Sequence, residues 1–247
     1  AVELLTMLVG LALACGGASA LNHVIDRDID KLMGSRTAAR PVASGRVPAP
    51  RALEFGLVLS ALSFALLAST ANVLTAVLAL VGNLFYVVVY TGYLKRSTDQ
   101  NIVIGGAAGA VPPLVGYAAA TGDLALPALG LFLIVFLWTP PHFWALALMI
   151  KDHYAAANVP MLPGTRGDAE TTRQIVLYSV ALVAFALVVG IWLGPLYTVA
   201  AAALGAYFLL LAHRLLEVGL DDLAHVVEAD LRRRVAQLAQ LALELLA

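Results

Sequence analysis

Residues 1–46 read AVELLTMLVGLALACGGASAL followed by NHVIDRDIDKLMGSRTAARPVASGR, so an apolar run ends abruptly in a charged segment. A helix of roughly 20 apolar residues is long enough to cross the hydrocarbon core of a bilayer. Charged side chains are costly inside that core, so the segment from Asn22 onward belongs outside it. The junction therefore predicts a membrane helix that ends in a polar surface segment.

Apolar runs of similar length recur along the chain. The 247 residues are 61% hydrophobic and 13% charged, with a mean hydropathy of +0.89, as expected for a protein whose solvent is the bilayer. The single cysteine, Cys15, excludes an internal disulfide and any metal motif that needs two cysteines. We predict an all-α bundle with seven spans, near residues 1–21, 52–71, 73–94, 102–121, 125–150, 174–193 and 195–213.

The charges of the chain are concentrated in alternate loops. A formal net charge of -1 excludes a generally basic protein that coats nucleic acid. Basic residues gather in 22–51, 95–101 and 151–173, whereas the other linkers hold only Asp123 as a charge. The positive-inside rule then places the charged loops together at the cytoplasmic face, where we expect the chemistry.

Asn22, Asp26 and Asp30 recur at every fourth position of the first charged loop. On a helix they share one face, and like charges at that spacing repel unless something positive lies between them. Oxygen ligands without sulfur or paired histidines favour magnesium, which takes few carboxylates when phosphate oxygens complete its shell. This face predicts a site for a magnesium diphosphate. Asp28 points elsewhere and is interpreted as a surface acid paired with a basic neighbour in the sequence.

Basic residues follow the acids in a segment that Gly34, Pro41 and Gly45 bend. The arginine fork suits phosphate oxygens, and neutralising a departing diphosphate lowers the barrier to breaking its bond to carbon. The alternative is that these residues only set topology, but topology does not require acids among them. We favour a binding role for Lys31, Arg36, Arg40 and Arg46.

Small residues and prolines interrupt the predicted spans. The glycines of 105–109 permit close helix packing, and we weigh plain packing and a functional role equally. Proline removes a helical hydrogen bond, so we expect the pairs Pro112–Pro113 and Pro140–Pro141 to open a cavity. The aromatic residues near span ends are interpreted as interface belts; they are Tyr90, Tyr93, Trp138 and Trp144.

Four ordered blocks resemble a known family. NxxxDxxxD at 22–30, followed by RTxxRPxxSGR at 36–46, resembles the first signature of the UbiA superfamily of membrane prenyltransferases. LKRSTDQNIVIGGAAGAVPPLVGYAAATG at 94–122, LWTPPHFWALAL at 137–148 and KDHYAAANVPMLP at 151–163 are similar to blocks of the protoheme IX farnesyltransferases, also called heme O synthases. The resemblance extends over roughly residues 1–190.

This resemblance implies one membrane-embedded prenyltransferase domain over residues 1–247, with nine spans. One helix before residue 1 is then expected to be missing, and 217–247 would be a polar tail with a partial last helix. The implied partners are farnesyl diphosphate, protoheme IX as substrate rather than cofactor, Mg²⁺, the lipid bilayer and a downstream heme-modifying enzyme, with no nucleic acid. The implied product is heme O for terminal oxidases, made at the cytoplasmic face of a bacterial or archaeal membrane.

A second acidic motif is implied in the loop after the second proline pair, which reads KDHY at 151–154. Asp152 fits an acidic position of that motif. His153 stands where the family pattern usually has an aspartate. Because imidazole ligates magnesium poorly, either Asp152 carries the metal site or His153 serves the diphosphate or the acceptor instead. The set implied to be catalytic and to hold the metal is Asn22, Asp26, Asp30 and Asp152.

The resemblance also assigns contacts to the two substrates. His142 lies within an apolar span, where an ionisable residue is by default a functional hypothesis. Imidazole is a common axial heme ligand, although a neutral histidine bonded to a carbonyl freed by Pro140 or Pro141 is the alternative. His153 and Tyr154 are further candidates for contact with heme. The implied diphosphate-binding cations are Lys31, Arg36, Arg40, Lys95 and Arg96.

Two other functions remain open at this point. The same superfamily includes enzymes that prenylate a quinone precursor or a chlorophyll-like ring, and they would keep the same diphosphate site. The blocks PPHF and NVPMLP argue against that acceptor class. A secondary transporter also has broken helices and many spans, but its decisive charges would lie near the bilayer midplane rather than at one face.

Overall fold

The computed structural model of the chain describes residues 2–217, and within that range every regular element is a helix. The predicted all-α class is therefore confirmed. The helices are α1 (Val2–Ile25), α2 (Arg27–Leu32), α3 (Ser35–Ala38), α4 (Ala49–Thr70), α5 (Val73–Leu84), a π-helix (Phe85–Leu94), α6 (Lys95–Ser97), α7 (Asn101–Thr121), α8 (Leu126–Met149), α9 (Lys151–Ala156), α10 (Leu162–Leu193) and α11 (Pro195–Glu217).

Seven helical segments of the described chain are long and apolar enough to cross a membrane, as predicted. The α5 helix, the π-helix and α6 run on as one span, Val73–Ser97. Within α10, Gly167 has a φ of 81° and interrupts the helix, so the apolar part of α10 begins after this bend. The polar tail and partial last helix expected for 217–247 lie outside the described residues, apart from Glu217.

Short turns connect the spans at one end of the bundle. Asn72 caps α5 by accepting a hydrogen bond from the Thr75 backbone N–H at 2.8 Å, which satisfies one of the free donors of the first turn. Gly122 ends α7 in the left-handed conformation that glycine adopts without strain. Gly194, also at positive φ, separates α10 from α11. Chain order alternates between the two ends, so the long charged loops share the opposite end.

Close approach between spans depends on small residues. The α1 helix packs on α4, and a Cβ added to Gly17 would lie 2.9 Å from the Gly56 carbonyl oxygen. Between α7 and α8, a Cβ on Gly106 would lie 3.0 Å from Thr139. A Cβ on Gly105 would collide with the ring of Tyr90. At these positions, packing accounts for the glycines.

The predicted aromatic belts are wrong for two of the four residues. Trp144 is only 1% exposed and packs edge-to-face on Tyr178, within a cluster formed by α8, α10 and α11. Tyr90 is partly buried and packs near Ile29 and Ile102. Both side chains lie on faces that a neighbouring helix covers, which nearness to a span end does not reveal. Tyr93 and Trp138 are exposed, as a belt requires.

Candidate functional site

The first charged loop continues the helical path of α1. Although α1 ends at Ile25 and α2 begins at Arg27, the Asp26 N–H donates to the Asn22 carbonyl at 2.8 Å, and the Asp30 N–H donates to the Asp26 carbonyl at 2.8 Å. The fourth-position spacing therefore survives the junction, and the three side chains lie together as predicted. They are buried, with Asp26 0% and Asp30 1% exposed.

Asp26 is held by partners from two spans. Lys95, at the end of the π-helix span, donates to Asp26 Oδ2 at 2.5 Å. Asn22 Nδ2 donates to the same oxygen at 2.8 Å and to Thr91 Oγ1 at 3.1 Å. Arg96 Nη2 lies 3.8 Å from the other oxygen, Oδ1. The cations offset the cost of a buried carboxylate charge.

Asp30 is paired within the first charged loop itself. Arg40 Nη1 donates to Asp30 Oδ1 at 2.8 Å. The loop bends through Gly34, whose φ of 114° is a conformation that glycine tolerates, and so returns Arg40 to the acid. The cation remains about one-third exposed, at 36%. Arg40 is thus able to contact both the buried acid and a ligand at the surface.

Each buried carboxylate retains one oxygen without a hydrogen bond. These atoms are Asp26 Oδ1 and Asp30 Oδ2. A buried acceptor without a partner costs roughly 1–3 kcal/mol or more, which a bound cation would offset. Among the described residues no group of three or more His, Cys, Asp or Glu side chains could hold a metal. Two carboxylates and an amide suit magnesium, which relies on phosphate oxygens and water for its other ligands.

Asp28 is a surface acid, as predicted, but its partner is Arg96 rather than Arg27 or Lys31. Arg96 forms a two-pronged ion pair with it, at 2.7 Å to each carboxylate oxygen, and also donates to the Ile25 carbonyl at 2.9 Å. This pairing lowers the pKa of Asp28 well below its usual range. Asp28 therefore anchors Arg96 beside the buried acids.

The predicted cations fall into two groups. Arg40, Lys95 and Arg96 lie against the acids. Lys31 and Arg36 are exposed, and neither side chain makes a hydrogen bond or ion pair with another residue in the range 2–217. Arg46 instead donates to the Ala39 carbonyl at 2.6 Å and stabilises the loop.

The second charged loop approaches the first at the same end of the bundle. The side chain of His153 lies against Gly34, where an added Cβ would be 2.9 Å from the imidazole. Tyr154 packs near Ile29 of α2, and burial raises the pKa of its phenol. Asp152 is exposed, and its carboxylate has no hydrogen-bond partner in the described part of the chain. The structure thus brings His153 and Tyr154 to the first loop more closely than Asp152.

The segment after α9 braces the acid-bearing helix. Asn101, fully buried at the start of α7, donates to the Pro160 carbonyl at 2.9 Å. Val159 and Met161 are buried in one cluster with Ile29, the neighbour of Asp30. Much of the block NVPMLP therefore serves to hold α2 against the bundle. The sequence alone offered no reason to single out Asn101.

His142 is not brought to the acids. Its exposed ring stacks on Trp138 with centroids 4.2 Å apart, and Phe143 meets it edge-on. The buried side of α8 is formed instead by residues such as Pro140, Pro141 and Trp144. His142 therefore lies on the outer side of α8.

The π-helix positions residues that sequence reasoning missed. Its wider turns are often found at functional sites, and here it carries Tyr86, Thr91 and the approach to Lys95. Thr91 is fully buried and accepts from Asn22. Tyr86 lies within range of the Asp26 charge, and its ring centroid is 5.5 Å from that of Tyr90. A polar residue within an apolar span, such as Thr91, was the available signal.

An apolar cavity lies between α1, the α5/π-helix span and α7. We call it the tail cavity; its volume is about 260 Å³. Pro112 forms part of the wall, and the opening of a cavity by the proline pairs stays a prediction. Tyr86 belongs to the cavity wall and packs against the cluster that contains Ala18 and Leu21, just before Asn22 on α1, so the cavity adjoins the acid-bearing end of α1. Other wall residues are Leu11, Cys15, Ser19, Asn83 and Gly109.

Comparison with known proteins gives consistent similarity along the chain. The profile of the UbiA prenyltransferase family matches residues 1–222. A protoheme IX farnesyltransferase of Synechocystis sp. is 54% identical over 226 residues, which cover 90% of this chain and 71% of that protein. A protoheme IX farnesyltransferase of Gloeobacter violaceus is 52% identical over 221 residues, or 88% of this chain and 72% of that one.

Solved structures share the fold. A UbiA homolog from Archaeoglobus fulgidus bound to DMAPP and Mg²⁺ superposes with a TM-score of 0.74 at 17% identity, covering 86% of this chain and 75% of that one. The apo structure of a UbiA homolog from Aeropyrum pernix K1 gives a TM-score of 0.70 at 22% identity, covering 90% and 82%. At these identities the likeness establishes the architecture of the helical bundle.

Proposed function

Because the chain belongs to the UbiA prenyltransferase family, we propose that it transfers a farnesyl group from farnesyl diphosphate to a vinyl group of protoheme IX, with addition of water, to give heme O. This proposal rests on two buried carboxylates, each of which has one oxygen without a hydrogen bond. They lie beside three cations and an apolar cavity. The names of the relatives that are 52% and 54% identical support protoheme as the acceptor.

The cations of the site receive the diphosphate. Arg40, Lys95 and Arg96 neutralise the acids of the ligand-free chain, and the same donors stabilise the charge that develops on the leaving group. Lys31 and Arg36 meet the diphosphate from the exposed rim of the first loop. This arrangement concentrates the decisive charge at one end of the bundle, unlike the midplane charge of a transporter.

Magnesium fits the oxygen-rich face. The unpartnered oxygens of Asp26 and Asp30 would hold it together with Asn22, and Asp152 would contribute from the second loop. When bound, Mg²⁺ offsets the negative charge of the diphosphate and so favours its departure. The small number of carboxylates agrees with the reliance of magnesium on phosphate and water oxygens.

The reaction breaks the bond between farnesyl C1 and the diphosphate oxygen. The terminal vinyl carbon of protoheme forms a bond to C1, and the positive charge passes to the carbon next to the macrocycle. Water adds to that carbon and loses a proton, which leaves the hydroxyl group and free diphosphate. The chain's part is to hold C1 between the acids and Tyr86 and to keep water away from the allylic cation inside the apolar tail cavity.

Protoheme approaches from the side of the second loop. His142, on the outer side of α8, is an axial-ligand candidate that a lipid-dissolved heme can reach. His153 and Tyr154, which lie beside the first loop, contact the macrocycle near the acids. If the heme Soret band changes in His142→Ala but not in His153→Ala, His142 is the iron ligand. If it changes only in His153→Ala, the ligand is His153.

We propose that the site lies at the cytoplasmic face of the membrane, as the positive-inside rule favours. The sequence puts most basic residues in 22–51, 95–101 and 151–173, and the fold gathers these segments at one end. The proposed product is a lipid-soluble heme alcohol, so the enzyme that modifies it next must draw it from the same membrane.

The test is a reconstitution of the purified chain in detergent with farnesyl diphosphate, Mg²⁺ and an equal mixture of protoheme and para-hydroxybenzoate. Mass spectrometry of extracted pigments should show protoheme heavier by one farnesyl group and one water. Omitting Mg²⁺ should abolish this species. Prenylated hydroxybenzoate without modified heme would instead assign the chain to the quinone-type enzymes, and no product with either acceptor would contradict the proposal.

A further inference from the structure

We infer that Thr91 is a positioning residue for the metal site: its buried hydroxyl sets the orientation of the Asn22 side-chain amide, so that the amide oxygen is free for a magnesium ion. This inference rests on the proposed function, because it concerns how the chain holds the metal of the same prenyl diphosphate. Thr91 is 0% exposed and is not itself one of the proposed metal ligands. It acts on the metal site through Asn22.

Both N–H groups of the Asn22 side-chain amide have acceptors. Asn22 Nδ2 donates to Asp26 Oδ2 at 2.8 Å and to Thr91 Oγ1 at 3.1 Å. The amide oxygen, Asn22 Oδ1, accepts no hydrogen bond from any residue in the range 2–217. An amide nitrogen carries two donors and an amide oxygen only accepts. The orientation that satisfies the nitrogen is therefore the one that leaves Oδ1 available to a cation.

Asp26 alone fixes only one of the two N–H groups. A carboxylate accepts hydrogen bonds but cannot donate them, so Asp26 holds the amide nitrogen on its own side of Asn22. The amide plane can still turn about that single hydrogen bond. The Thr91 hydroxyl engages the second N–H and prevents this rotation. Threonine is suited to the task because branching at Cβ restricts its χ1 angle, and burial restricts it further.

The packing of two parallel spans determines where Thr91 lies. The α1 helix and the span Val73–Ser97 run toward the same end of the bundle, and their polar contacts share one register, in which the two residues are 69 positions apart. These contacts are Asn83 Nδ2 with the Ala14 carbonyl at 2.9 Å, Asn22 Nδ2 with Thr91 Oγ1 at 3.1 Å, and Lys95 Nζ with Asp26 Oδ2 at 2.5 Å. The Thr91 hydroxyl is therefore held by the contacts on either side of it as well as by Asn22.

Loss of the Thr91 hydroxyl should change the metal site through Asn22. The second N–H of the buried amide would then have no partner, which is unfavourable. We expect the amide to turn toward another acceptor, and Oδ1 to turn with it. Residues that orient a metal ligand typically change metal affinity about 10- to 100-fold when they are replaced.

The experiment measures Mg²⁺ binding without turnover. Wild type and variants are purified in detergent, saturated with farnesyl thiolodiphosphate, an unreactive donor analogue, and titrated with Mg²⁺. Melting temperatures give the Mg²⁺ concentration for half-maximal stabilisation. Thr91→Val, which replaces the hydroxyl by a methyl group of similar size, should raise that concentration about tenfold or more. Thr91→Ala, a second variant without the hydroxyl, should do the same, whereas Thr91→Ser should stay near the wild-type value.

Thr75→Val is the matched control. Thr75 lies on the same span and is also 0% exposed, and its hydroxyl also makes a side-chain hydrogen bond, to Asn72 Oδ1 at 3.0 Å. It belongs to the first turn of α5, at the end of the span away from the acids. Thr75→Val should leave the half-maximal Mg²⁺ concentration unchanged. An equal rise in Thr75→Val and Thr91→Val would reflect lost stability alone and would overturn the inference.

A double-mutant cycle tests whether Thr91 acts through Asn22. Asn22→Ala removes the amide, so adding Thr91→Val to Asn22→Ala should raise the Mg²⁺ concentration no further. Additive effects of the two changes would show that Thr91 acts independently of Asn22, and they would overturn the inference. A wild-type Mg²⁺ concentration in both Thr91→Val and Thr91→Ala would overturn it as well.

The same titration separates this inference from the proposed function, because it needs no acceptor. If the Thr91 variants behave as expected but wild type prenylates no heme, only the acceptor assignment fails. If wild type prenylates heme while the variants without the hydroxyl bind Mg²⁺ as wild type does, only this inference fails.

Discussion

Lys95 and Asp26 form an ion pair across 69 residues of sequence, with Nζ 2.5 Å from Oδ2. The carboxylate is fully buried and the cation is only 12% exposed. The pair joins the end of the π-helix span to the start of α2, so it fixes the spacing between the two elements that carry the site. It also leaves Asp26 Oδ1 free of hydrogen bonds for a metal ion.

Removing one partner of this pair should destabilise the chain more than removing both. In Lys95→Met the buried Asp26 loses its nearest cation, which we expect to cost up to about 3 kcal/mol in the absence of ligands. Lys95→Met combined with Asp26→Asn should recover much of that loss, because no uncompensated charge remains. Melting temperatures in one detergent measure this non-additivity, and strictly additive effects would contradict a direct coupling.

Magnesium dependence should distinguish the two acidic motifs. Asp30 is buried with a free oxygen, whereas Asp152 is exposed. We expect Asp30→Asn to raise the Mg²⁺ concentration for half-maximal turnover at least tenfold, an effect of about 1.4 kcal/mol, and Asp152→Asn to raise it less. Chelation by EDTA should stop turnover in both, and added Mg²⁺ should restore it. If both variants raise this Mg²⁺ concentration equally, Asp152 contributes to the metal site as much as Asp30 does, which would contradict this prediction.

The ring of Tyr86 should stabilise the allylic cation. A cation over an aromatic face gains about 1–2 kcal/mol, so Tyr86→Leu should slow the single-turnover reaction about 5- to 30-fold. Tyr86→Phe keeps the ring and should stay within about threefold of wild type. Affinity for farnesyl thiolodiphosphate should be unchanged in both variants, since no cation forms on it. Equal slowing by Phe and Leu would point to the hydroxyl group instead.

The link between Asp99 and Arg166 should make stability depend on pH. Arg166 Nε donates to Asp99 Oδ2 at 2.6 Å, and this contact lowers the pKa of Asp99. A depressed folded-state pKa gives stability that is present above the unfolded pKa, near 3.9, and lost as the pH falls through the folded value. Asp99→Asn should therefore lower the melting temperature by a few degrees at pH 7.

That difference between Asp99→Asn and wild type should shrink as the pH falls below about 4. Lys151→Gln, which removes the separate ion pair with Asp168, provides a comparison at a nearby exposed position. A melting-temperature difference that is constant from pH 7 to pH 3 would show that Asp99 acts through packing rather than charge.

The acid face could be predicted from sequence because the chemistry lies in a local repeat. Asn22, Asp26 and Asp30 keep their helical spacing through the α1–α2 junction, where the backbone bonds are unbroken. The membrane spans could also be predicted from sequence, since they depend on the length and hydropathy of each apolar run. Lys95 and Arg96 could be assigned only through the resemblance, because their approach to the acids depends on how two distant spans pack.

Other features had no local signal. No sequence period marks the π-helix, so the position of Tyr86 near the acid-bearing end of α1 could not be predicted. Trp144 was mistaken for a belt residue because distance from a helix end says nothing about which face a neighbouring helix covers. The roles of Lys31, Arg36, Asp152 and His142 depend on ligands, and they remain proposals.

The central claim is that the buried acids, rather than the acidic loop as a whole, activate farnesyl diphosphate. It is tested most directly by comparing heme O formation in Asp26→Asn and Asp28→Asn. Both changes remove a carboxylate charge without changing side-chain size, but Asp26 is buried and Asp28 is exposed. We predict a loss of more than about 100-fold in kcat/KM for Asp26→Asn and a loss of about fivefold or less for Asp28→Asn, which weakens only the surface ion pair that positions Arg96. Comparable activity in the two variants would contradict the account.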